Sequence, residues 1–331
     1  MRELTADNAA AYLQERGFLA ASPVQVDWLS GGVSNVVLRV TTPTQRFVLK
    51  QSCPQLRTKD AWYSDLDRVW REMEVMQALH GALPAEVVPE VLFCDRDNFA
   101  FAMSHAPTPF RVWKETLLAG EIDVAVGEQV GRVLGRMHQA SVDDPQFAKQ
   151  FADSRVFVQL RIDPFYRTIQ RRIPDLADVI EPIVARMFAP GVALCHGDYT
   201  PKNILTHAQG FTLVDYETAY FGDPTMDLGL LHCHLLLKAF RAPQQAAALL
   251  DLTNAVWRGY TPEVRFRPLA ELQAHAIEHL AVCLLARVDG TSPVDYLNDA
   301  QRANVRQVGR QLLESKVRTW PEVLALVGKA T

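Results

Sequence analysis

Short β-forming runs open the chain and helical periodicity closes it. Between Val24 and Gln51 the runs "VQVDWL", "VVLRV" and "RFVLKQ" are separated by Gly31-Gly32 and by Thr42-Pro43-Thr44. Three antiparallel strands joined by hairpins are therefore expected. Ahead of them, Thr5 to Gly17 reads as a helix with Thr5 as N-cap and Gly17 as its left-handed stop. From Asp65 to His80 the apolar positions Leu66, Val69, Trp70, Met73, Met76 and Leu79 recur at helical spacing, which predicts an amphipathic helix after the third strand. "PEVLFC" and "NFAFAM" read as two further strands, and the proline-bearing "SHAPTPF" as a hinge that ends a first lobe.

From Arg111 onward helical patterning dominates, interrupted by a strand-like region around Val192 to Val214. The fold class expected is α+β with two lobes: residues 1–105 as a small antiparallel sheet with one helix, and 106–331 as a larger, mainly helical lobe. No internal repeat or low-complexity segment is found. The charge balance is 34 Lys and Arg against 38 Asp and Glu with no long run of one sign, so a nucleic-acid partner is not expected. The five cysteines, Cys53, Cys94, Cys195, Cys233 and Cys283, are scattered without a CxxC pair and read as reduced thiols. There is no signal-like N-terminal pattern and no run of roughly eighteen uninterrupted apolar residues, so a cytoplasmic chain without membrane contact is expected.

Candidate chemistry concentrates in "HGDYTPKNIL", His196 to Leu205, and in "FTLVDYETAYFGDPTMDLG", Phe211 to Gly229. Phosphoryl transfer needs a group to orient the attacking hydroxyl and oxygen ligands for magnesium on the phosphates, with little covalent chemistry besides. Asp198 fits the base, Asn203 a neutral magnesium ligand and Asp215 the charged ligand, since magnesium takes hard oxygen donors. Pro201 stiffens the loop, and "NIL" and "FTLV" would hold its ends as two small strands.

These paired motifs resemble those of the aminoglycoside phosphotransferase and choline kinase family, protein-kinase-like enzymes that phosphorylate small molecules. Asp215-Tyr216-Glu217 follows the small-molecule version of the second motif, and the turns Gly222 to Pro224 and Asp227 to Gly229 are also similar. The resemblance runs from about Leu29 to His234. It implies ATP and Mg2+ as cofactors and a small-molecule hydroxylated acceptor as partner. A triphosphate also needs a cation, and Lys50 at the end of "RFVLKQ" is the candidate. The resemblance gives it Glu72 as partner, with Glu74 close enough to compete. Gly32 and Ser34, in a permissive turn, are candidates to approach phosphate oxygens, although the turn lacks G-x-G-x-x-G spacing and a plain hairpin would look the same. Ser104 and Ala106 are the candidates for adenine contacts.

His196 with His232 and His234 could suggest a metal-dependent hydrolase, and His275 with His279 a metal pair. In the family the loop histidine braces the loop, while residues 232 and 234 do not share a helix face. Asp227 resembles the family's bracing carboxylate, and Glu217 is open between a position behind the metal and a substrate contact. For the acceptor, "QLRIDPFYRTIQRRIPDLA" and "LLARVDGTSPVDYL" supply Arg161, Asp163, Tyr166, Arg287 and Asp289, which would serve equally as ion pairs between helices. Arg241 to Thr331 carries 9 acidic and 11 basic residues, unlike an acidic wall for a polyamine, so a sugar or amino alcohol is expected ahead of an aminoglycoside-like acceptor. A catalytically silent nucleotide-binding protein of the same fold competes with the kinase, against the retention of all four reactive positions. Monomer and homodimer stay open.

Overall fold

The computed structural model describes residues 1–29, 35–54, 65–315 and 317–331. Gly32 and Ser34 lie outside the described residues. The chain divides into two units, Met1–Phe110 with His207–Thr218, and Arg111–Thr206 with Ala219–Thr331. The single boundary expected between residues 105 and 106 thus becomes a boundary after Phe110, and a stretch from the second half of the sequence joins the first unit. Local bonds tie that stretch there: Leu213 N–H donates to the Val87 carbonyl at 2.8 Å, and the Thr212 hydroxyl to the Glu86 carbonyl at 2.7 Å.

In the first unit, helix α1 (Ala9–Glu15) precedes strands β1 (Gln25–Trp28), β2 (Asn35–Thr41) and β3 (Arg46–Ser52). Helix α2 (Arg68–Leu79) and strands β4 (Val91–Asp95) and β5 (Ala100–Ser104) follow. The five strands form one antiparallel sheet in the order β1-β2-β3-β5-β4. Side chains alternate across a strand, so Phe47 and Leu49 of β3 fall on one face with Leu4, Tyr12 and Leu13, while Val48 and Lys50 fall on the other. Helix α1 stops at Gly17 with φ +72°, as its composition predicts. It begins later than expected, because the Asn8 carboxamide accepts the Thr5 N–H at 2.9 Å and holds residues 5–8 as a turn.

Further along the chain come β6 (Phe110–Val112) and helices α3 (Trp113–Leu118), α4 (Val124–Ser141), α5 (Pro145–Gln150) and α6 (Arg155–Phe157). Val158–Arg167 is wound as a π-helix around Pro164, whose missing N–H relaxes the α-helical ladder; the Thr168 hydroxyl takes up the Asp163 carbonyl at 2.8 Å. Helices α7 (Thr168–Arg172) and α8 (Ala177–Met187) lead to strands β7 (Ala193–Cys195), β8 (Ile204–His207), β9 (Gly210–Leu213) and β10 (Tyr220–Gly222), with β7 and β10 antiparallel. Helices α9 (Thr225–Arg241), α10 (Ala246–Tyr260), α11 (Leu269–Asp289), α12 (Asp299–Glu314) and α13 (Trp320–Ala330) complete the second unit.

Gly127, Gly131 and Gly135 line one face of α4 at four-residue spacing. A Cβ at Gly131 would lie 1.9 Å from the Val256 carbonyl oxygen of α10, and one at Gly259 of α10 would lie 2.0 Å from the Glu128 carbonyl oxygen. The two helices meet main chain to main chain. Helix α11 is long and apolar enough to cross a membrane by length and composition, but 67% of its most apolar window is buried among the other helices.

Candidate active site

In the first unit, β3 presents Lys50 and α2 presents Glu72, and the ammonium lies 2.5 Å from the carboxylate. Glu74, the competing partner, lies instead 3.9 Å from Arg96, with its side chain partly in solvent. Lys50 also bonds to Asp215 at 2.8 Å. Burial works against the lysine's charge, yet Asp215, Glu72 and Glu217 outweigh it and raise its pKa. Burial pushes the Glu72 carboxyl up to about 7, opposed by Lys50 and reinforced by Asp215 and Glu217. Asp215 holds a left-handed backbone, φ +72°, a costly conformation for a residue with a Cβ.

Glu217 is held by its own unit. Its Oε2 accepts from the Asn35 carboxamide at 2.7 Å and lies 3.2 Å from the Arg68 Nε. Arg68 is fully buried, and its other nitrogens donate to the carbonyls of Cys53 at 2.7 Å and Asp65 at 2.9 Å. Carboxylate oxygens of Glu72, Asp215 and Glu217 come within 4.8 Å of one another, a set of hard donors of the kind a divalent cation takes. Ser104 ends β5, where its N–H donates to the Glu90 carbonyl at 2.8 Å and its hydroxyl accepts the Glu90 N–H at 2.9 Å. The Ala106 carbonyl lies 2.7 Å from the His105 Nδ1.

In the second unit, the loop after β7 is built around Asp227, the first-turn carboxylate of α9. Asp227 accepts the His196 N–H at 2.7 Å and the Gly197 N–H at 2.8 Å, and lies 3.2 Å from the His138 Nε2 of α4. The Tyr260 hydroxyl sits 3.0 Å from the other nitrogen of His138, and the Tyr199 hydroxyl ties the loop to the Val130 carbonyl at 2.9 Å. Gly197 supplies φ +75°. His196 turns inward, its Nδ1 3.2 Å from the Asp198 N–H, which is the geometry of a brace. His232 stacks on Trp320 at 3.9 Å, and His279 lies 2.7 Å from the Tyr166 hydroxyl; both are core side chains.

Arg161, Lys202 and Asn203 are among the groups that hold the Asp198 side chain. Arg161 pairs with one oxygen at 2.7 Å, Lys202 with the other at 2.8 Å, and the Asn203 amide nitrogen donates at 2.9 Å to both the side chain and the main-chain carbonyl. The amide nitrogen is thereby committed, which leaves the amide oxygen of Asn203 for a hard cation. Arg161 further donates at 2.6 Å to the Gly197 carbonyl. Lys202 and His138 are contributors that the spacing argument passed over; Lys202 stands inside the motif but reads there as a spacer.

The remaining acceptor candidates are dispersed. Asp163 pairs with Arg167 one turn along at 2.7 Å, on the surface. Asp289 grips Arg306 of α12 through two bonds of 2.7 Å, joining α11 to α12. Tyr166 is fully buried against α11. Arg161 touches Asp198 directly, and Arg287 shares the Phe165 ring with Arg161, each guanidinium carbon 5.9 Å from the ring centre.

An antiparallel sheet carrying a lysine-glutamate pair, together with a helical unit carrying an H-G-D loop, defines a protein-kinase-like α+β protein. Solved structures agree. A choline/ethanolamine kinase family protein from Mesorhizobium loti superposes with a TM-score of 0.55 at 17% identity, covering 98% of this chain and 99% of that one. Amicoumacin kinase hAmiN, solved with AMP-PNP, Ca2+ and Ami, superposes with a TM-score of 0.56 at 14% identity, covering 96% and 97%. Residues 28–263 match the phosphotransferase enzyme family, and the chain belongs to it. In sequence it is 23% identical over 266 residues to the methylthioribose kinase of Exiguobacterium sibiricum, covering 71% of this chain and 67% of that protein. The chain spans about two thirds of the length of the curated relatives it matches.

Proposed function

We propose that the protein transfers the γ-phosphoryl group of ATP to a hydroxyl group of a small molecule. The observation that carries this is Lys50 paired at once with Glu72 at 2.5 Å and Asp215 at 2.8 Å, a buried cation positioned for phosphate oxygens. Asp198 receives the hydroxyl proton as the acceptor oxygen bonds to the γ-phosphorus, and the bond from that phosphorus to the bridging oxygen breaks to leave ADP. Arg161 and Lys202 pair with the two oxygens of Asp198, and the Asn203 amide nitrogen donates to one of them, so the carboxylate is held in one orientation. Asn203 and Asp215 each offer a hard oxygen donor of the kind magnesium takes, and magnesium, when bound, would neutralise charge on the phosphates. The relative named methylthioribose kinase and the phosphotransferase family match support a hydroxylated metabolite as acceptor.

The test is Asp198→Asn, assayed for ADP release with ATP and magnesium across a panel of hydroxylated metabolites. Turnover should fall by about 10²–10⁴-fold with nucleotide binding retained. Undiminished turnover refutes the assignment. Phosphate release that needs neither an acceptor nor Lys50 points to a hydrolase instead.

A further inference from the structure

The second unit buries a concentration of positive charge that the chemistry above leaves unused. Lys238, near the end of α9, is 2% exposed, and its Nζ donates at 2.8 Å to the His234 carbonyl one turn back. Among the described residues no carboxylate pairs with it. The charged groups that weigh most on it are Lys114 of α3, Arg287 of α11 and Arg241 of its own helix, with the Cys233 thiol acting in the opposite sense. Arg287 donates one nitrogen to the Ser292 carbonyl, while its buried Nε has no hydrogen-bond partner among the described residues. The buried hydroxyl of Tyr296 likewise has none, and its ring centre lies 5.9 Å from the Lys238 Nζ.

Burying an ammonium without an anion is costly, and such groups either pair or lose their proton. Burial, helped by Lys114, pulls Lys238 down to about 7, and burial lowers Arg287 as well. Asp198 and Arg161 are among the charges that act on Arg287. Arg287 and Arg161 both lie 5.9 Å from the Phe165 ring centre, so their guanidinium carbons are at most twice that distance apart, and Arg161 grips Asp198.

We propose, resting on the phosphotransfer function above, that Arg287, Lys238 and Tyr296 seat an oxyanion carried by the acceptor, which is therefore a small hydroxylated carboxylate or phosphate ester. The planar guanidinium suits both anions, and the ammonium and phenol supply further donors. A cationic acceptor would meet the like charges of Arg287 and Lys238 here.

Two arms of one experiment use the full chain with Arg287→Gln, Lys238→Met and Tyr296→Phe. In the first, nucleotide-free protein is titrated calorimetrically with sulfate and with acetate. Saturable binding that weakens about thirtyfold or more in Arg287→Gln and Lys238→Met, and is rescued by Lys238→Arg, supports the proposal. No binding, or binding that the variants leave unchanged, overturns it whether or not the protein is a kinase. In the second, ADP release is measured with panels of hydroxycarboxylates, sugar phosphates, uncharged polyols and amino alcohols. Turnover confined to the hydroxycarboxylate or the sugar phosphate panel supports the proposal and tells the two sources apart, with the loss in the variants appearing mainly in KM. Preference for polyols or amino alcohols overturns it while leaving the kinase intact. Tyr296→Phe and Arg287→Gln carry both arms if Lys238→Met does not fold.

Discussion

Replacing Lys238 with methionine should stabilise the protein, which is the reverse of what a buried structural lysine would give. The folded-state pKa of Lys238 is pulled from 10.5 to about 7. In the unfolded chain the ammonium is protonated below about pH 10.5, whereas in the folded protein it is protonated only below about 7. The unfolded state therefore binds more protons across that window, and stability linked to this group rises with pH. It is fully present above pH 10.5, declines as pH falls toward 7, and is level below that. At about 1.4 kcal/mol per unit the whole shift is on the order of 5 kcal/mol. Methionine keeps the unbranched stem and removes the charge, so a gain of roughly 1–4 kcal/mol at pH 7 is expected, shrinking toward zero near pH 10. Urea denaturation of both proteins at several pH values between 7 and 10 measures it, and taking the difference cancels the groups common to both. Those facing Lys238 are His234, Cys233 and Arg241 on α9, Arg287 on α11, Lys114 on α3, and Tyr296. A variant less stable than the parent at pH 7, or a difference that does not move with pH, would refute the reasoning.

Four other substitutions probe the framework. Arg68→Met should cost about 3–5 kcal/mol in chemical denaturation, since it strips the buried Glu217 of its guanidinium partner; a loss below about 1 kcal/mol would mean that Asn35 suffices. Asp227→Asn weakens two charge-assisted bonds to loop amides and should lower both stability, by about 2–3 kcal/mol, and turnover; unaltered kinetics with a lowered melting point would confine it to the fold. Gly131→Ala drives a methyl into the Val256 carbonyl and should cost about 1–3 kcal/mol, while Gly328→Ala, whose added Cβ would meet Leu250 at an ordinary 3.5 Å, should be neutral or stabilise by up to about 1 kcal/mol. Equal effects at the two glycines would contradict the close approach of α4 and α10.

Pairings that chemistry ties to residue type, Lys50 with Glu72 above all, were legible in the sequence. An aspartate, an asparagine and a second aspartate at fixed spacing, between short strands, suggested phosphates and a divalent cation because few arrangements serve them, and the structure pairs Asp198 with Asn203 and Asp215 with Lys50. The sheet and α2 followed from periodicity. Other features leave no local trace. The attachment of residues 207–218 to the first unit depends on bonds from Leu213 and Thr212 to Val87 and Glu86, more than a hundred positions away. Arg161 sits in a stretch read only as a source of acceptor contacts or ion pairs, and no pattern marks a π-helix that brings it to Gly197 and Asp198. Lys238 lies in "LLHCHLLLKAF", which periodicity assigns to the core; that its ammonium lacks an anion appears only when α3, α9 and α11 are packed. Where one end of an interaction is far off in the chain, residue type gives no warning.

The glycine face of α4 has a mechanical consequence. Contacts between side chains can be retuned by a rotamer change, but peptide pressed on peptide has nothing left to rearrange. Helices α4 and α10 should therefore move as one girder, and each lends a side chain to the same joint, His138 from one and Tyr260 from the other. That joint meets Asp227, from which the two amides ahead of Asp198 hang. Stiffness fixed deep among the helices is in this way inherited by a loop that contains no long helix of its own.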